Sequence, residues 1–495
     1  MSSYDELKSG EEYSLSLQSA SEQDVGERVN LVGLDIGTTT TSAAFATAQL
    51  QQTVAGRIEL EQLTPLAETA TIFTRFADHR IDERFLLAWL DERFAAAGIA
   101  PASVFGGGAL ITGLAAERGN AAALGGLIQS RLSDAVIATA DDPRLEAWLA
   151  FMGSAAGLSR ELGNTPVVNL DIGGGTTSVA IGLGGEVRST GSVFIGARHV
   201  QVTPGTYRIE QLSQYARQIF HALDIAKDVG TELELPEVDA IVGFWTESLE
   251  CFAVGHACQP NAALTRELVQ SELAIDPELP APIVTFSGGV GSLVYRLADS
   301  ANDIREITPF GDLGLDFARR IRRSQVLAKN VRSHIPRVTG LATVFGLLRH
   351  ATQLSGSSIY LPDPEQLPLR DLPILGRVAP NIPDAELARL VDLAGGTLAG
   401  VCFILDTRGT QHAALKSLST RLSAVLAAQN FPAAKPLVLV GSENVGKSLG
   451  GYITGWGAQR WNVIVLDEIV PRDAQFVRVG RICEHVVPVS FYGMN

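Results

Sequence analysis

Cysteine is scarce, four residues in 495, as are methionine, three, and aromatic side chains, 6%. Four cysteines cannot frame a disulfide-stapled secreted fold. So few aromatics offer no stripe on which nucleic-acid bases would stack. Cations are the minority, 39 Lys and Arg against 54 Asp and Glu, for a formal net charge of −15. That balance argues against nucleic acid and against an anionic membrane surface, both bound through clustered Lys and Arg, the short run Arg319-Arg320-Ile321-Arg322-Arg323 aside. Apolar runs of membrane length are also wanting. The uncharged stretch Phe94–Ala116 could span a bilayer by length. Gly98, Pro101, the triplet Gly106-Gly107-Gly108 and Gly113 break it into a helix end, a loop and a short strand at Gly108–Thr112. The chain opens without a secretory leader, so a cytoplasmic location is expected.

What is present is globular: 46% hydrophobic and 19% charged residues over a length suited to about three domains. Residues 1–29 are Ser-, Glu- and Gln-rich and are expected to form a disordered tail. Order is expected from Leu31. Helical spacing runs through Ile81–Ala97 to a stop at Gly98, and further helices are expected at Ala121–Leu132, Arg144–Leu158, Tyr207–Ile225 and 338–352. Residues 361–383 are proline-rich and read as a linker or an extended wrap. Strands at Val401–Leu405, Leu437–Val440 and Val463–Leu466, separated by helices, predict a further α/β region.

The most informative feature is an internal repeat. LVGLDIGTTTTSAAF (31–45) and VVNLDIGGGTTSVAI (167–181) share nine of fifteen positions at an offset of 136 residues. Each reads as strand, glycine turn, strand. Glycines let backbone N–H groups approach phosphate oxygens with no Cβ in the way, and Thr38 to Thr41, Thr176 and Thr177 add hydroxyls. Asp35 and Asp171, at the strand ends, cannot donate to phosphate. Two carboxylates beside a triphosphate suit a hydrated Mg²⁺. A third glycine turn follows a strand at PIVTFSGGVGSLVY (282–295).

These segments resemble an established family. The paired hairpins are similar to the phosphate-1 and phosphate-2 motifs of the actin/Hsp70/sugar-kinase ATPase superfamily, and TFSGGVGS (285–292) to its adenosine motif. Arg144–Ser159 and ATVFGLL (342–348) resemble its two connecting helices. The resemblance implies an α/β fold of two duplicated ribonuclease-H-like domains, 30–165 and 166–352, with ATP or ADP in the cleft between them. It also implies a linker at 353–383 and an added α/β region at 384–495. It places ATP on Gly37, Thr38, Thr39, Thr40, Gly173, Gly174, Gly175, Thr176, Thr177, Ser287, Gly288, Gly289 and Gly291. Mg²⁺ falls to Asp35 and Asp171 through water, and Glu146 orients the attacking water.

Longer segments narrow the resemblance to the ethanolamine ammonia-lyase reactivating-factor family: ALITGLAAERGNA (109–121), IATADDPRLEAW (137–148), QLSGSSIYL (353–361) and DEIVPRDAQFVRVG (467–480). Departures from the usual patterns are Ser292 for Glu, Leu114 for Glu, and Leu347 and Leu348 where small residues would let two helices cross closely. The implied function is ATP-dependent and chaperone-like. The factor binds the lyase and releases damaged cobalamin so that intact adenosylcobalamin enters. Association with a bacterial microcompartment stays open, and the alternative is a small-molecule kinase of the same superfamily.

Two patterns are read as decoys. GSENVGKS (441–448) matches the P-loop spacing G-x4-G-K-[ST], but only 20 residues separate Lys447 from Asp467, the candidate magnesium carboxylate. Cys251, His256 and Cys258 lack the fourth ligand that zinc would require and are read as inert buried thiols.

Overall fold

In the computed structural model, the described residues are 27–37, 40–52, 58–67, 70–77, 80–111, 120–132, 136–138, 143–255, 262–297, 307–356, 358–397, 400–472, 474–483 and 485–494. Most of the expected tail, together with Thr38, Thr39, Leu114, His256 and Cys258, lies outside them.

The strands are β1 (Arg28–Ile36), β2 (Thr40–Gln52), β3 (Ile58–Pro65), β4 (Ala70–Phe73), β5 (Phe76–Ala77), β6 (Arg80–Ile81), β7 (Val104–Ile111), β8 (Val136–Ala138), β9 (Val167–Ile172), β10 (Thr177–Leu183) and β11 (Glu186–Val193). They continue with β12 (Val200–Val202), β13 (Ile209–Leu212), β14 (Val269–Ser271), β15 (Ile283–Ser287), β16 (Gln353–Ser355), β17 (Leu369–Val378), β18 (Val401–Leu405), β19 (Leu437–Gly441), β20 (Val463–Leu466), β21 (Ala474–Val479) and β22 (Val487–Met494). The helices are α1 (Glu83–Ala97), α2 (Ala121–Arg131), α3 (Pro143–Ser154), α4 (Ala156–Leu162), α5 (Gln214–Ala222), α6 (Leu235–Val254), α7 (Ala262–Glu267), α8 (Gly288–Arg296), α9 (Gly314–Arg323), α10 (Ala342–His350), α11 (Asp384–Gly396), α12 (His412–Ala428) and α13 (Gly446–Ile453).

Two sheets carry the duplication. The first runs β3-β2-β1-β7-β8, the second β14-β11-β10-β9-β15. In each, an antiparallel hairpin leads and a later strand joins the first hairpin strand in parallel, β7 on β1 and β15 on β9. This shared order, third-second-first-fourth, is the ribonuclease-H-like arrangement, so the fold is a duplicated actin-like α/β fold with an added region. β7 and β9 are buried along their whole length, as central strands covered on both faces are.

Gly106 and Gly107 do not form the expected loop, and the strand begins well before Gly108. Gly106, Gly107 and Gly108 lie inside β7. Gly107 has φ +98°, and a Cβ there would stand 1.9 Å from the Val32 carbonyl oxygen, so only glycine keeps β7 against β1. Tyr207–Ile225 is not one helix. Its first part pairs with β12 as β13, and Ser213 then caps the shorter α5 by accepting from the Ala216 N–H. α1 stops at Gly98 as its sequence predicts, whereas Asp82, expected inside the helix, is its N-cap.

A third sheet, β16-β22-β21-β17-β18-β19-β20, contains both β16 and β17. The proline-rich segment is therefore not a linker across its length. β17 lies inside the sheet, with β21 antiparallel on one side and β18 parallel on the other. Leu354 and Val486 share a core with Val29, Leu31 and Val344, which joins this region to the first sheet. No helix among the described residues is long and apolar enough to cross a membrane.

The helices α3 and α10 cross closely. A Cβ on Gly153 would lie 1.9 Å from the Ala342 carbonyl oxygen, and one on Gly346 2.2 Å from that of Leu149. The small residues sought at 347 and 348 are thus supplied by Gly346 and Gly153. Leu347 packs with Leu110, Leu145 and Leu149, and Leu348 with Leu31 and Val344.

Candidate functional site

The two hairpins close their turns with the same hydrogen bond. Gly37 N–H donates to the Thr40 carbonyl at 2.9 Å, and Gly173 N–H to the Thr176 carbonyl at 3.0 Å. Asp35 faces Ser42 in register as Asp171 faces Ser178, and Ile36 faces Thr41 as Ile172 faces Thr177. At the described residues the sequence repeat is therefore a repeat of strand register and of one turn hydrogen bond.

Their supports differ. In the second hairpin a polar ladder rises beneath the carboxylate. Thr285 Oγ1 donates to Asn169 Oδ1 at 3.0 Å, Asn169 Nδ2 to Ser287 Oγ at 2.9 Å, and Ser287 Oγ to Asp171 Oδ2 at 2.6 Å. Burial pushes the Asp171 carboxyl up to about 6, and the Ser287 hydrogen bond opposes that shift. The first hairpin has Gly33 at the position matching Asn169, and Leu110 faces Asp35 where Ser287 faces Asp171. Gly33 instead meets α10: a Cβ there would stand 2.6 Å from the Val344 carbonyl oxygen. So the first hairpin rests on a connecting helix, the second on a hydrogen-bonded ladder.

The turn around Gly173–Gly175 is held from behind. Ala197 N–H donates to the Gly173 carbonyl at 3.2 Å and Arg198 N–H to the Gly174 carbonyl at 2.7 Å. Across a trans peptide the C=O and the following N–H point in opposite directions, so the N–H groups of Gly174 and Gly175 face away from this support. His199 is buried beside them. Burial pushes it down to about 4, against the pull of the Gly175 and Phe194 backbone, which keeps the imidazole neutral near pH 7. The hydroxyl of Thr177 is committed to the Ile195 carbonyl at 2.7 Å, away from any ligand, and Thr176 beside it is buried.

The third glycine turn meets the second hairpin. Gly288 has φ +80°, and a Cβ there would lie 2.7 Å from the Ile172 carbonyl oxygen and 2.9 Å from Asp171 Oδ1. Gly289 opens onto free space, whereas Gly291 packs against Phe286. The Ser287 hydroxyl is spent on Asp171, and Ser292 Oγ donates to the Gly289 carbonyl. Glu146 lies in the first turn of α3, whose Arg144 Nε donates to Ser271 Oγ of β14 at 3.2 Å.

Sequence reasoning passed over Asn169 and Thr74. Thr74 Oγ1 donates to the Gly37 carbonyl at 2.8 Å and so closes the first turn from the side. Thr74 directly follows β4, a strand too short to leave a periodic pattern.

These residues fit a nucleotide: two glycine turns with matched geometry, outward N–H groups at the second, and a cradle at Gly288–Gly289 that side chains would fill. Among the described residues no three of His, Cys, Asp and Glu gather to hold a metal directly. The fit is to a hydrated ion beside one or two carboxylates.

The P-loop spacing is filled by the chain itself. β19 and β20 are neighbouring parallel strands, with Val440 opposite Leu466, so the separation argument against it fails. But Asp467, buried, accepts from the Gly446 N–H at 3.4 Å and from the Ser355 and Ser358 hydroxyls. A Cβ on Gly446 would stand 2.3 Å from the Ser358 carbonyl oxygen. The segment around Ser358 occupies the space a phosphate would need, and Lys447 is exposed. Cys251 is disulfide-bonded, which corrects its reading as an inert thiol.

Comparison with known proteins gives a family match over residues 27–493, to the family described as ethanolamine utilisation protein EutA. A curated relative, the ethanolamine ammonia-lyase reactivase EutA of Salmonella typhimurium, is 31% identical over 473 residues, covering 93% of this chain and 97% of that protein. The protein of the same name from Escherichia coli is 29% identical over 479 residues, with the same coverage of 93% and 97%. Among solved structures, ethanolamine utilization protein EutJ from Carboxydothermus hydrogenoformans is 14% identical, covering 64% of this chain and 89% of that one, with a TM-score of 0.30.

Proposed function

The chain belongs to the EutA family, and from that premise we propose that it is an ATP-dependent reactivating factor for ethanolamine ammonia-lyase. On this reading it loosens inactivated lyase so that damaged cobalamin leaves and intact adenosylcobalamin enters. The observation that carries the nucleotide part is the pair of glycine turns with one register and one turn hydrogen bond, set on two sheets.

The chain's residues divide the work as follows. Backbone N–H groups within the two turns, those of Gly174 and Gly175 at the second, would hold phosphate oxygens. The Gly288–Gly289 turn leaves room for the nucleoside. Asp35 and Asp171 would hold a hydrated magnesium ion, and the ladder through Ser287 and Asn169 fixes Asp171 in place. Glu146 orients the water that attacks. ATP hydrolysis supplies the free energy of the cycle. Gly153 and Gly346 allow α3 and α10 to cross at contact distance, so a change in cleft angle bears on both helices. To do work on the lyase, the ATP and ADP states must differ in affinity for it, since equal affinity shifts no equilibrium.

The test is capture of the lyase with immobilised protein in ADP and in a non-hydrolysable ATP analogue, alongside ATPase assays with ethanolamine and small acceptors. A reactivating factor retains the lyase in one nucleotide state more than in the other, and its slow ATPase ignores small acceptors. Equal retention, or phosphorylation of an acceptor, favours a kinase.

A further inference from the structure

We propose that Arg198 is the side chain that takes the charge of the nucleotide's terminal phosphates, reaching from the second sheet's domain to the mouth between the two glycine turns. The proposal deepens the nucleotide reading above and rests on it.

The seat of Arg198 is built by Gly196. A Cβ on Gly196 would lie 2.5 Å from the carbonyl carbon and oxygen of Gly174 and 2.6 Å from the Gly175 nitrogen. Only glycine lets the backbone lie flat on that peptide, and this contact puts Arg198 two residues later against the second turn. Its N–H then bonds the Gly174 carbonyl at 2.7 Å.

The side chain reaches the other half of the molecule. The Arg198 Cζ stands 5.8 Å from the ring centroid of Phe73. Phe73 closes β4, where it pairs with Thr40 of the first turn. The next residue, Thr74, bonds the Gly37 carbonyl. One residue is therefore tied by its backbone to the second phosphate turn and lies with its guanidinium over a ring that flanks the first.

Among the described residues no carboxylate is hydrogen-bonded to this charge. Among the described residues, the side-chain hydrogen bond of Arg198 goes from Nη2 to Gln201 Oε1, a neutral amide, at 2.9 Å. The buried Asp312 feels its charge but is not hydrogen-bonded to it. A partly exposed guanidinium on a neutral amide and the face of a ring can exchange both for phosphate oxygens. Its planar fork matches two of them at once. Such an exchange also breaks the contact with Phe73, so the cation that reads the phosphates is one of the links across the cleft.

Titration calorimetry of ATP, ADP and adenosine into the full chain and into Arg198→Ala, Arg198→Lys and Arg198→Gln tests this without relying on turnover. The expected result is a loss of about tenfold or more for ATP in Arg198→Ala and Arg198→Gln, a smaller loss for ADP, and adenosine binding within twofold of the parent. Arg198→Lys recovers part of the loss. A latch with no phosphate contact would change all three ligands alike, and that result overturns the proposal. So does ATP affinity equal to the parent's in Arg198→Ala. If the parent itself binds adenosine but gains nothing from added phosphates, the role of Arg198 fails while a nucleoside site stands. If the parent binds none of the three, the nucleotide reading fails and this proposal with it.

Discussion

The guanidinium of Arg472 lies 4.2 Å above the indole ring of Trp148 and donates a 2.7 Å hydrogen bond to the carbonyl of His350. Trp148 belongs to α3 and His350 ends α10, so one side chain from the third sheet's region touches both helices of the glycine crossing. Burial pushes Arg472 down to about 10, and burial together with the cations Arg472, Arg349 and Arg160 pushes His350 down to about 4, so its ring is neutral near pH 7.

Arg472→Ala should cost about 2 kcal/mol or more, the range of a desolvated cation–π contact plus a charged hydrogen bond at a helix end. Arg472→Lys keeps the charge but not the flat stack and should recover less than half. Urea unfolding measures both, and an unchanged midpoint in Arg472→Ala would show the contact to be idle.

Gly346→Ala should destabilise by about 3 kcal/mol or more, because its Cβ would meet the Leu149 carbonyl at 2.2 Å and the helices would have to part. Gly157→Ala in α4 is the control. Nothing lies within 4 Å of that Cβ, so the change should be neutral or add a few tenths of a kcal/mol. Thermal melts of the two variants should move apart, and a common shift would contradict the crossing.

Asp312 is buried near the cleft, and burial raises its carboxyl to about 6. The Gly314 N–H and Arg198 oppose that rise, and Asp316 adds to it. The folded state therefore keeps a proton that the unfolded chain, with its ordinary value near 3.8, has already lost. Stability from this group is present at low pH and is lost as pH rises from about 4 to about 6. Asp312→Asn removes that loss. Relative to the parent, the variant should gain up to about 3 kcal/mol across the window and no more above it. Unfolding curves between pH 4 and 8 give the difference, and a flat one would refute the shift.

Glu146→Gln should bind ATP as the parent does and hydrolyse it about 10²- to 10⁴-fold more slowly, the usual span for a group that handles the attacking water. Single-turnover kinetics separate the two steps. A matching loss of affinity would move Glu146 from chemistry to binding.

Much of this was legible in the sequence because it is local. The paired hairpins, the stop of α1 at Gly98, and strands Val401–Leu405 and Val463–Leu466 follow from short-range pattern and turn chemistry. What was not legible depends on distant partners. Gly106 and Gly107 read as a loop because the partners that fix them, Val32 and Thr352, are far away in sequence. The proline-rich segment read as a linker because β17 owes its strand to β21 and β18, which come later. Ser287 read as a ligand contact, yet its register opposite Asp171 makes it a support. Arg198 carried no signal, since a lone arginine after Gly196-Ala197 matters only once two turns are brought together.

The central claim is that nucleotide turnover between the paired hairpins drives exchange of damaged cobalamin on the lyase. Its most direct test is recovery of ethanolamine ammonia-lyase activity, starting from lyase inactivated with bound cobalamin. Free adenosylcobalamin and Mg²⁺ are supplied with ATP, with ADP, or with no nucleotide. The parent should restore activity with ATP only, and Asp171→Ala should restore at most a few per cent of that while still folding. Equal recovery without nucleotide, or full recovery by Asp171→Ala, would contradict the account.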